Sequence, residues 1–197
     1  MESLRERKRA ATRQRISDQA TRLFERHGFE AVTLADIAAA SDVSVKTVMN
    51  YFGAKEDLFF DAEPAVLDHL VATIAGRGER SATAVLRPLV LDSPLLAGPW
   101  PWRAVDAELW AALRAFAECE RRSPTLTARR AAILQSWLAP LAAAAGSTPW
   151  AALAVGVLTL RHAVVQDGLV AGLTLATVRR HVKADVAPAL DALERAF

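Results

Sequence analysis

The 197-residue sequence contains few of the residues that form disulfides or metal centres. Cys119 is its only cysteine, which excludes an internal disulfide and a cysteine-built zinc site. The four histidines are spread along the chain without the spacing of metal ligands. A glycine-rich phosphate loop, a Gly-x-Ser-x-Gly nucleophile motif and a placed cysteine–histidine pair are also missing. We therefore expect neither an enzyme, nor a metal site, nor a cofactor.

The net charge of the whole chain is only +2, but the charge is unevenly distributed. Residues 1–15 hold six basic and two acidic side chains, whereas residues 57–197 hold 14 of each. Positive charge concentrated in one segment attracts polyanions. Any affinity for a polyanion is therefore expected at the N-terminus.

One stretch, residues 131–160, has no charged side chain and is long enough to span a membrane. It contains Pro140 and the turn-forming sequence at 146–149, which favour two buried helices joined by a turn over one spanning helix. No apolar segment follows the basic N-terminus, so we expect no secretory signal. A cytoplasmic protein is the expectation.

Apolar residues recur at helical spacing almost everywhere, and no stretch alternates with a period of two. This pattern predicts an all-α fold of about nine helices. A first helix ends at His27, and eight more are expected at about 33–40, 44–52, 55–74, 81–92, 103–122, 125–145, 149–171 and 175–195. Pro64 is a possible kink in the fourth helix. A shift in composition near residue 56 predicts domains at 1–56 and 57–197.

Residues 33–52 have the pattern of a helix-turn-helix. Thr33 can cap the first helix and Ser44 the second, since hydroxyl side chains accept hydrogen bonds from free N–H groups at a helix start. Val43 in the turn and Val48 one helical turn later can fill the angle between the two helices. This arrangement leaves one face of the second helix exposed.

The exposed side chains of that second helix are short or planar and could contact base edges in a DNA major groove. They are Ser44, Val45, Lys46, Thr47, Asn50 and Tyr51. Thr33 and Lys55 are suited to phosphate oxygens, and Arg9 in the basic segment to phosphates or the minor groove. The alternative, that the three helices are only a packing unit, stays open on this pattern alone.

Residues 28–58 closely resemble the DNA-binding signature of TetR-family transcriptional regulators. The matching elements are Gly28-Phe29, Thr33, Ile37-Ala38, Val43-Ser44, Thr47-Val48, Tyr51-Phe52 and Lys55-Glu56-Asp57-Leu58. Asp42 stands where the family usually has glycine, but aspartate tolerates left-handed backbone. Met49 stands where the family often has an aromatic residue, and we expect it to fill the same apolar volume.

The resemblance implies a ligand-responsive regulator of double-stranded DNA, most often a repressor that binds a palindromic operator. Residues 57–197 would then bind a small effector and form a homodimer through the last two helices. The final segment agrees with this, because one apolar stripe recurs every three or four residues, at Val178, Val182, Val186, Ala189 or Leu190, and Leu193. The preceding helix is apolar on almost every face, so it must be buried, and a second subunit can bury the faces that the rest of the chain leaves exposed.

An effector pocket is suggested by aromatic residues and by polar residues set among apolar ones. The candidates are Trp102, Trp110, Leu113, Phe116, Gln135, Trp137, His162 and Gln166. Residues 45–52 and 123–126 also resemble a branch whose effector domain is compared with acyl-CoA binders. Simple core packing is the alternative for each residue. A regulator with no small-molecule effector, acting constitutively or through a protein partner, is the alternative function.

Overall fold

The computed structural model describes residues 3–93 and 104–197, and these residues form eleven α-helices and no β-strand. The predicted all-α fold is confirmed. The helices are α1 (Leu4–His27), α2 (Leu34–Ala40), α3 (Val45–Tyr51), α4 (Lys55–Phe59), α5 (Glu63–Ala75), α6 (Ala82–Asp92), α7 (Ala107–Arg122), α8 (Pro124–Ser136), α9 (Leu138–Ala145), α10 (Thr148–Val170) and α11 (Leu175–Ala196).

The chain forms two compact units. The first consists of residues 1–61 together with 119–127, and the second of 62–118 together with 128–197. The predicted boundary between residues 56 and 57 lies inside α4, a few residues before this division. Assigning DNA binding to one domain and effector binding to the other remains a prediction.

An aromatic cluster forms the centre of the first unit. Neighbouring rings of Phe24, Phe29, Phe59 and Phe60 have centroids between 5.0 and 6.0 Å apart, in tilted or edge-to-face contact. Such contacts are favourable beyond the apolar area that they bury. Since Phe29 follows α1 and Phe59 ends α4, the cluster fixes the two ends of the helix-turn-helix segment.

The corner between α7 and α8 belongs to the first unit through specific bonds. Ser123 donates its hydroxyl hydrogen to the carboxylate of Glu30, and its Oγ accepts the N–H of Leu126 at 3.1 Å. Leu126 itself is fully buried. One serine therefore begins α8 and also attaches this corner to the segment after α1.

In the second unit, α10 packs against α9 and α11, and α11 also packs against α6. The predicted apolar stripe of α11 is confirmed, because Val178, Val182 and Val186 are fully buried and Leu193 nearly so. Gly168 of α10 faces this stripe. A Cβ atom built on Gly168 would lie 2.6 Å from Cγ2 of Val178. At Gly168 the two helices therefore approach each other too closely for a side chain on α10.

Two of the nine predicted helices are each divided in two. Pro64 lies in the first turn of α5, where its missing N–H has no partner to lose, so it begins a helix and does not kink one. The predicted helix at 125–145 is interrupted at Trp137. A continuous helix would need an N–H at Pro140 to bond with Ser136, which proline cannot supply.

Length and composition alone would allow α10 to cross a membrane, since its most apolar stretch has a mean hydropathy of 1.3. About 39% of that stretch is buried against the rest of the chain, and core helices meet the same criterion. The helix also contains Arg161, whose Nε donates to the carbonyl of Val90 at 2.8 Å. Burial lowers the pKa of Arg161 to about 10. The hydrogen bonds from the Arg161 guanidinium satisfy the carbonyls of Val90 and Ser93 at the end of α6, which have no partner within that helix.

Candidate nucleic-acid interface

The first helix of the motif begins with a complete capping box. Thr33 Oγ1 accepts the N–H of Asp36 at 3.2 Å, and Asp36 accepts the N–H of Thr33 at 2.9 Å and its hydroxyl at 2.7 Å. These hydrogen bonds from Thr33 lower the pKa of the Asp36 carboxyl. Because the Thr33 hydroxyl already donates to a carboxylate, its contact with a DNA phosphate remains only a prediction.

The turn between α2 and α3 has the geometry that the sequence implies. Asp42 has a φ of 52°, in the left-handed region, and the N–H of Val43 returns to the carbonyl of Ala38 at 3.0 Å. The prediction that Asp42 can make this turn is confirmed. Val48 is fully buried and Val43 partly so, as predicted for the angle between the helices.

One face of α3 is turned to solvent. Val45, Lys46, Met49 and Asn50 are exposed, whereas Val48 and Phe52 are buried. The expectation that Met49 fills an apolar volume is wrong, since 42% of it is exposed. A residue type can suggest an apolar site, but the direction in which the helix faces decides whether that site is covered.

The hydroxyls of Ser44 and Thr47 are bonded within the helix start. Ser44 Oγ accepts the N–H of Thr47 at 3.0 Å and lies 2.8 Å from Thr47 Oγ1. Ser44 thus caps α3 as predicted. In this arrangement the polar atoms most available on the outer face belong to Lys46 and Asn50.

The basic N-terminal segment is helical and does not form an extended arm. α1 begins at Leu4, where Ser3 and Glu6 form a capping box. An α-helix is about 10–12 Å wide and the DNA minor groove about 6 Å, so this segment cannot lie inside that groove. Only its side chains could reach into the groove, so the contacts of this segment with phosphates or the minor groove remain predictions.

Arg9 and Arg13 connect α1 with α3. The guanidinium of Arg9 lies 5.9 Å from the ring centre of partly buried Tyr51, and that of Arg13 lies 4.6 Å from the ring of Phe52. Arg13 also pairs with Asp61 at 3.8 Å. Arg5 lies one helical turn before Arg9 on the same side and is exposed. Arg5, Arg9 and Arg13 are thus spaced four residues apart on one side of α1. This spacing is visible in the sequence, but it indicates a row of arginines only if the segment is helical.

Lys55 has partners inside the first unit. Its Nζ donates to the carbonyls of Phe29 and Val32, both at 2.8 Å, and lies 4.1 Å from the ring centre of Phe29. These contacts hold the segment between α1 and α2 against the start of α4. Only one N–H of the ammonium group remains for a phosphate, so the predicted phosphate contact of Lys55 competes with a positioning role.

Residues 16–62 match the model of a family described as bacterial regulatory proteins, tetR family. This match identifies residues 16–62 as a TetR-family DNA-binding domain. Over its whole length the fold is similar to the crystal structure of a TetR transcriptional regulator from Rhodococcus sp. RHA1. That match has a TM-score of 0.52 and 18% identity, and it covers 97% of this chain and 99% of the other. No curated protein matches the sequence.

The match and the all-α fold support a TetR-family DNA-binding transcriptional regulator, with DNA as its partner. The helix-turn-helix described above lies entirely within the matched residues. The 18% identity of the solved structure supports the fold alone. What residues 57–197 bind therefore has to be argued from their own geometry.

The candidate effector residues occupy different environments. Trp110, Leu113, Phe116, His162 and Gln166 are partly buried, while Trp137 is 3% exposed within the core and Gln135 is exposed. Trp102 lies outside the described residues. The indole N–H of Trp110 donates to the carbonyl of Leu173 at 3.3 Å, which places α7 beside the connection between α10 and α11.

Two open clefts lie in the described part of the second unit. The smaller, of about 250 Å³, is lined in part by Arg77, Trp150 and Glu194, and the larger, of about 490 Å³, by Arg80 and Leu89 among others. None of the candidate effector residues lines either cleft. The effector pocket thus remains a prediction.

Proposed function

We propose that this protein is a homodimeric TetR-family repressor that leaves a palindromic operator when a small apolar or amphipathic molecule binds residues 57–197. The observation that carries DNA recognition is the orientation of α3. Lys46 and Asn50 are exposed, whereas Val48 and Phe52 hold the opposite side in the core. We further propose that it is a cytoplasmic regulator without catalytic activity.

In this proposal α3 lies in the major groove, which is wide enough to admit a helix. Asn50 would bond adenine through its amide, and Lys46 would donate to guanine. Arg9, stacked on Tyr51, would contact a phosphate beside the groove. The base contacts then determine the sequence, and the phosphate contact sets affinity for any duplex.

The proposed division of roles is tested by Asn50→Ala and Arg9→Ala. Asn50→Ala should cost about 1–3 kcal/mol on the selected operator and little on random duplex. Arg9→Ala should weaken both duplexes similarly and reduce the slope of log K against log salt by about 0.9. Fluorescence anisotropy over a salt series measures both effects. Unchanged specific binding by Asn50→Ala would contradict the placement of α3.

Dimerisation through the last two helices is supported by an uncovered face of α10. Leu153 and Leu160 are 52% and 38% exposed, with exposed Gly156 between them and no charged residue from 148 to 160. An apolar row of this kind is typical of a surface covered by a second subunit. In such a dimer the helix-turn-helix segments of the two subunits, related by a two-fold axis, would bind half-sites about 34–36 Å apart.

Sedimentation velocity tests the dimer. Leu160→Glu places a charge in the proposed interface and should give monomers, whereas Leu4→Glu, at a site 60% exposed on α1, should leave the dimer intact. A dimer that persists in Leu160→Glu at low micromolar concentration would contradict the proposed interface.

The effector is tested by thermal unfolding with acyl-CoAs, cationic amphiphiles and neutral polycyclic compounds. A ligand at 100 times its Kd stabilises the folded state by about 2.7 kcal/mol, which raises the midpoint by several degrees. A response to one chemical class, together with operator release by the same compounds, would support the repressor proposal. A flat response with intact DNA binding would favour a regulator that has no small-molecule effector.

A further inference from the structure

The solvent-facing side of α3 contains an apolar pair that the polar base contacts leave unused. Val45 and Met49 lie one helical turn apart and are each 42% exposed. Beside them Lys46 and Asn50 form a second, polar row with the same spacing. We call Val45 and Met49 the apolar strip of α3.

The apolar strip is unusual within its own unit. Among the described residues of the first unit, the large apolar side chains with substantial exposure are Leu4, Val45 and Met49. Two of these three are adjacent on a helix of only seven residues. Single exposed apolar residues need no explanation, but neighbouring ones on a DNA-facing surface indicate a contact.

The chemistry of the major groove limits what such a strip can contact. Base edges there present hydrogen-bond donors and acceptors, and the apolar group among them is the C5 methyl of thymine. The Ser44 and Thr47 hydroxyls are bonded to each other, which leaves the apolar strip and the polar row to face the bases. A flexible thioether side chain such as Met49 packs well around a methyl group.

We propose that Met49, which forms the apolar strip together with Val45, is a specificity-determining residue. It contacts a pyrimidine C5 methyl group in each operator half-site. This inference rests on the proposed placement of α3 in the major groove. The strip senses the methyl group and not the pairing edge, so it responds alike to thymine and to 5-methylcytosine. Cytosine methylation at that position thereby strengthens binding.

The test starts from duplexes that the wild-type protein selects from a random pool. Each thymine of the half-site is replaced in turn by deoxyuridine, which removes only the methyl group. Burial of one methyl-sized group is worth about a fourfold change in Kd. At least one thymine should therefore show a loss of about fourfold for the wild-type protein and for Met49→Leu, but none at that position for Met49→Ala.

A second substitution separates the methyl group from the base that bears it. At the sensitive position a cytosine–guanine pair should bind more weakly than thymine–adenine, and 5-methylcytosine should recover about fourfold of the loss. Val45→Ala is the matched control for Met49→Ala. It should keep the methyl response at the thymine that Met49 contacts, and any response that it removes should be at a different thymine. Because Met49 is well exposed, we expect all variants to have equal thermal unfolding midpoints. Equal midpoints show that the substitutions leave folding unaffected.

Asn50→Ala on the same duplex distinguishes the two proposals. If Asn50→Ala loses specific binding while every deoxyuridine duplex binds like its parent, the methyl contact is refuted and the placement of α3 stands. If Asn50→Ala binds normally, or the wild-type protein selects no sequence, both proposals fail. A methyl response that persists in Met49→Ala would also refute the role of Met49.

Discussion

The close contact between α10 and α11 predicts that Gly168→Ala destabilises the fold, although alanine favours helices. The new Cβ would lie 2.6 Å from Cγ2 of Val178, about 1 Å inside the ordinary contact distance of about 3.5–4.0 Å. Val178 is fully buried and β-branched, so it can neither move outward nor change its rotamer easily. The overlap therefore has to be relieved by shifting the helices apart.

The size of the effect follows from two opposing contributions. Overpacking a well-packed core typically costs about 1–3 kcal/mol. Replacing a mid-helix glycine by alanine regains about 0.5–1 kcal/mol of backbone entropy. The mid-range values leave a net loss of about 1 kcal/mol in the free energy of unfolding, and the extremes about 0 and 2.5 kcal/mol; urea denaturation measures it, with an unchanged m-value.

Gly156→Ala is the matched control on the same helix, because nothing lies within 4 Å of a Cβ built there. It should stabilise the protein by about 0.5–1 kcal/mol. Gly156 also lies on the proposed dimer face, so unfolding is recorded at several protein concentrations to separate folding from association.

Val178→Ala completes a double-mutant cycle, because it removes the Cγ atoms that would collide with the new Cβ. In that background Gly168→Ala should become neutral or stabilising. A Gly168→Ala protein as stable as the wild type, or equally destabilised with and without Val178→Ala, would refute the close approach of the two helices.

Two further predictions concern the first unit. Lys55→Met keeps the aliphatic stem but removes two hydrogen bonds to the carbonyls of Phe29 and Val32, so the free energy of unfolding should fall by about 2 kcal/mol. The salt slope of DNA binding should stay unchanged, and a decrease of about 0.9 would instead identify a phosphate contact. Burial raises the pKa of the Cys119 thiol, which leaves less thiolate at pH 8 in the folded than in the unfolded protein. Iodoacetamide should therefore alkylate the native protein more slowly than the urea-unfolded one, and equal rates would contradict this environment.

The parts of this protein that the sequence predicted correctly depend on residues close together in the chain. Thr33 caps α2 through Asp36, and Ser44 caps α3 through Thr47, each three residues away. The left-handed turn at Asp42 depends on backbone preferences of that residue alone. Capping and turn chemistry are local, so the limits of the helix-turn-helix can be inferred from the order of residues.

The predictions from sequence were wrong or incomplete where one residue type or short segment is compatible with more than one structure. Proline can kink a helix or begin one, and at Pro64 the chain begins α5. No start was predicted for the first helix, which the capping box of Ser3 and Glu6 begins at Leu4. Met49 suits a core or a surface equally by residue type.

The sequence by itself determined the fold class, the resemblance of the first unit to TetR-family regulators and the limits of the helix-turn-helix, because these depend on helical periodicity and on short-range caps. The tertiary structure alone decided which side chains have partners far away in the chain. Lys55 bonds to carbonyls 23 and 26 residues away, and Ser123 to a carboxylate 93 residues away. Contacts between such distant residues follow from how the helices pack, since the chain must fold before these groups can meet.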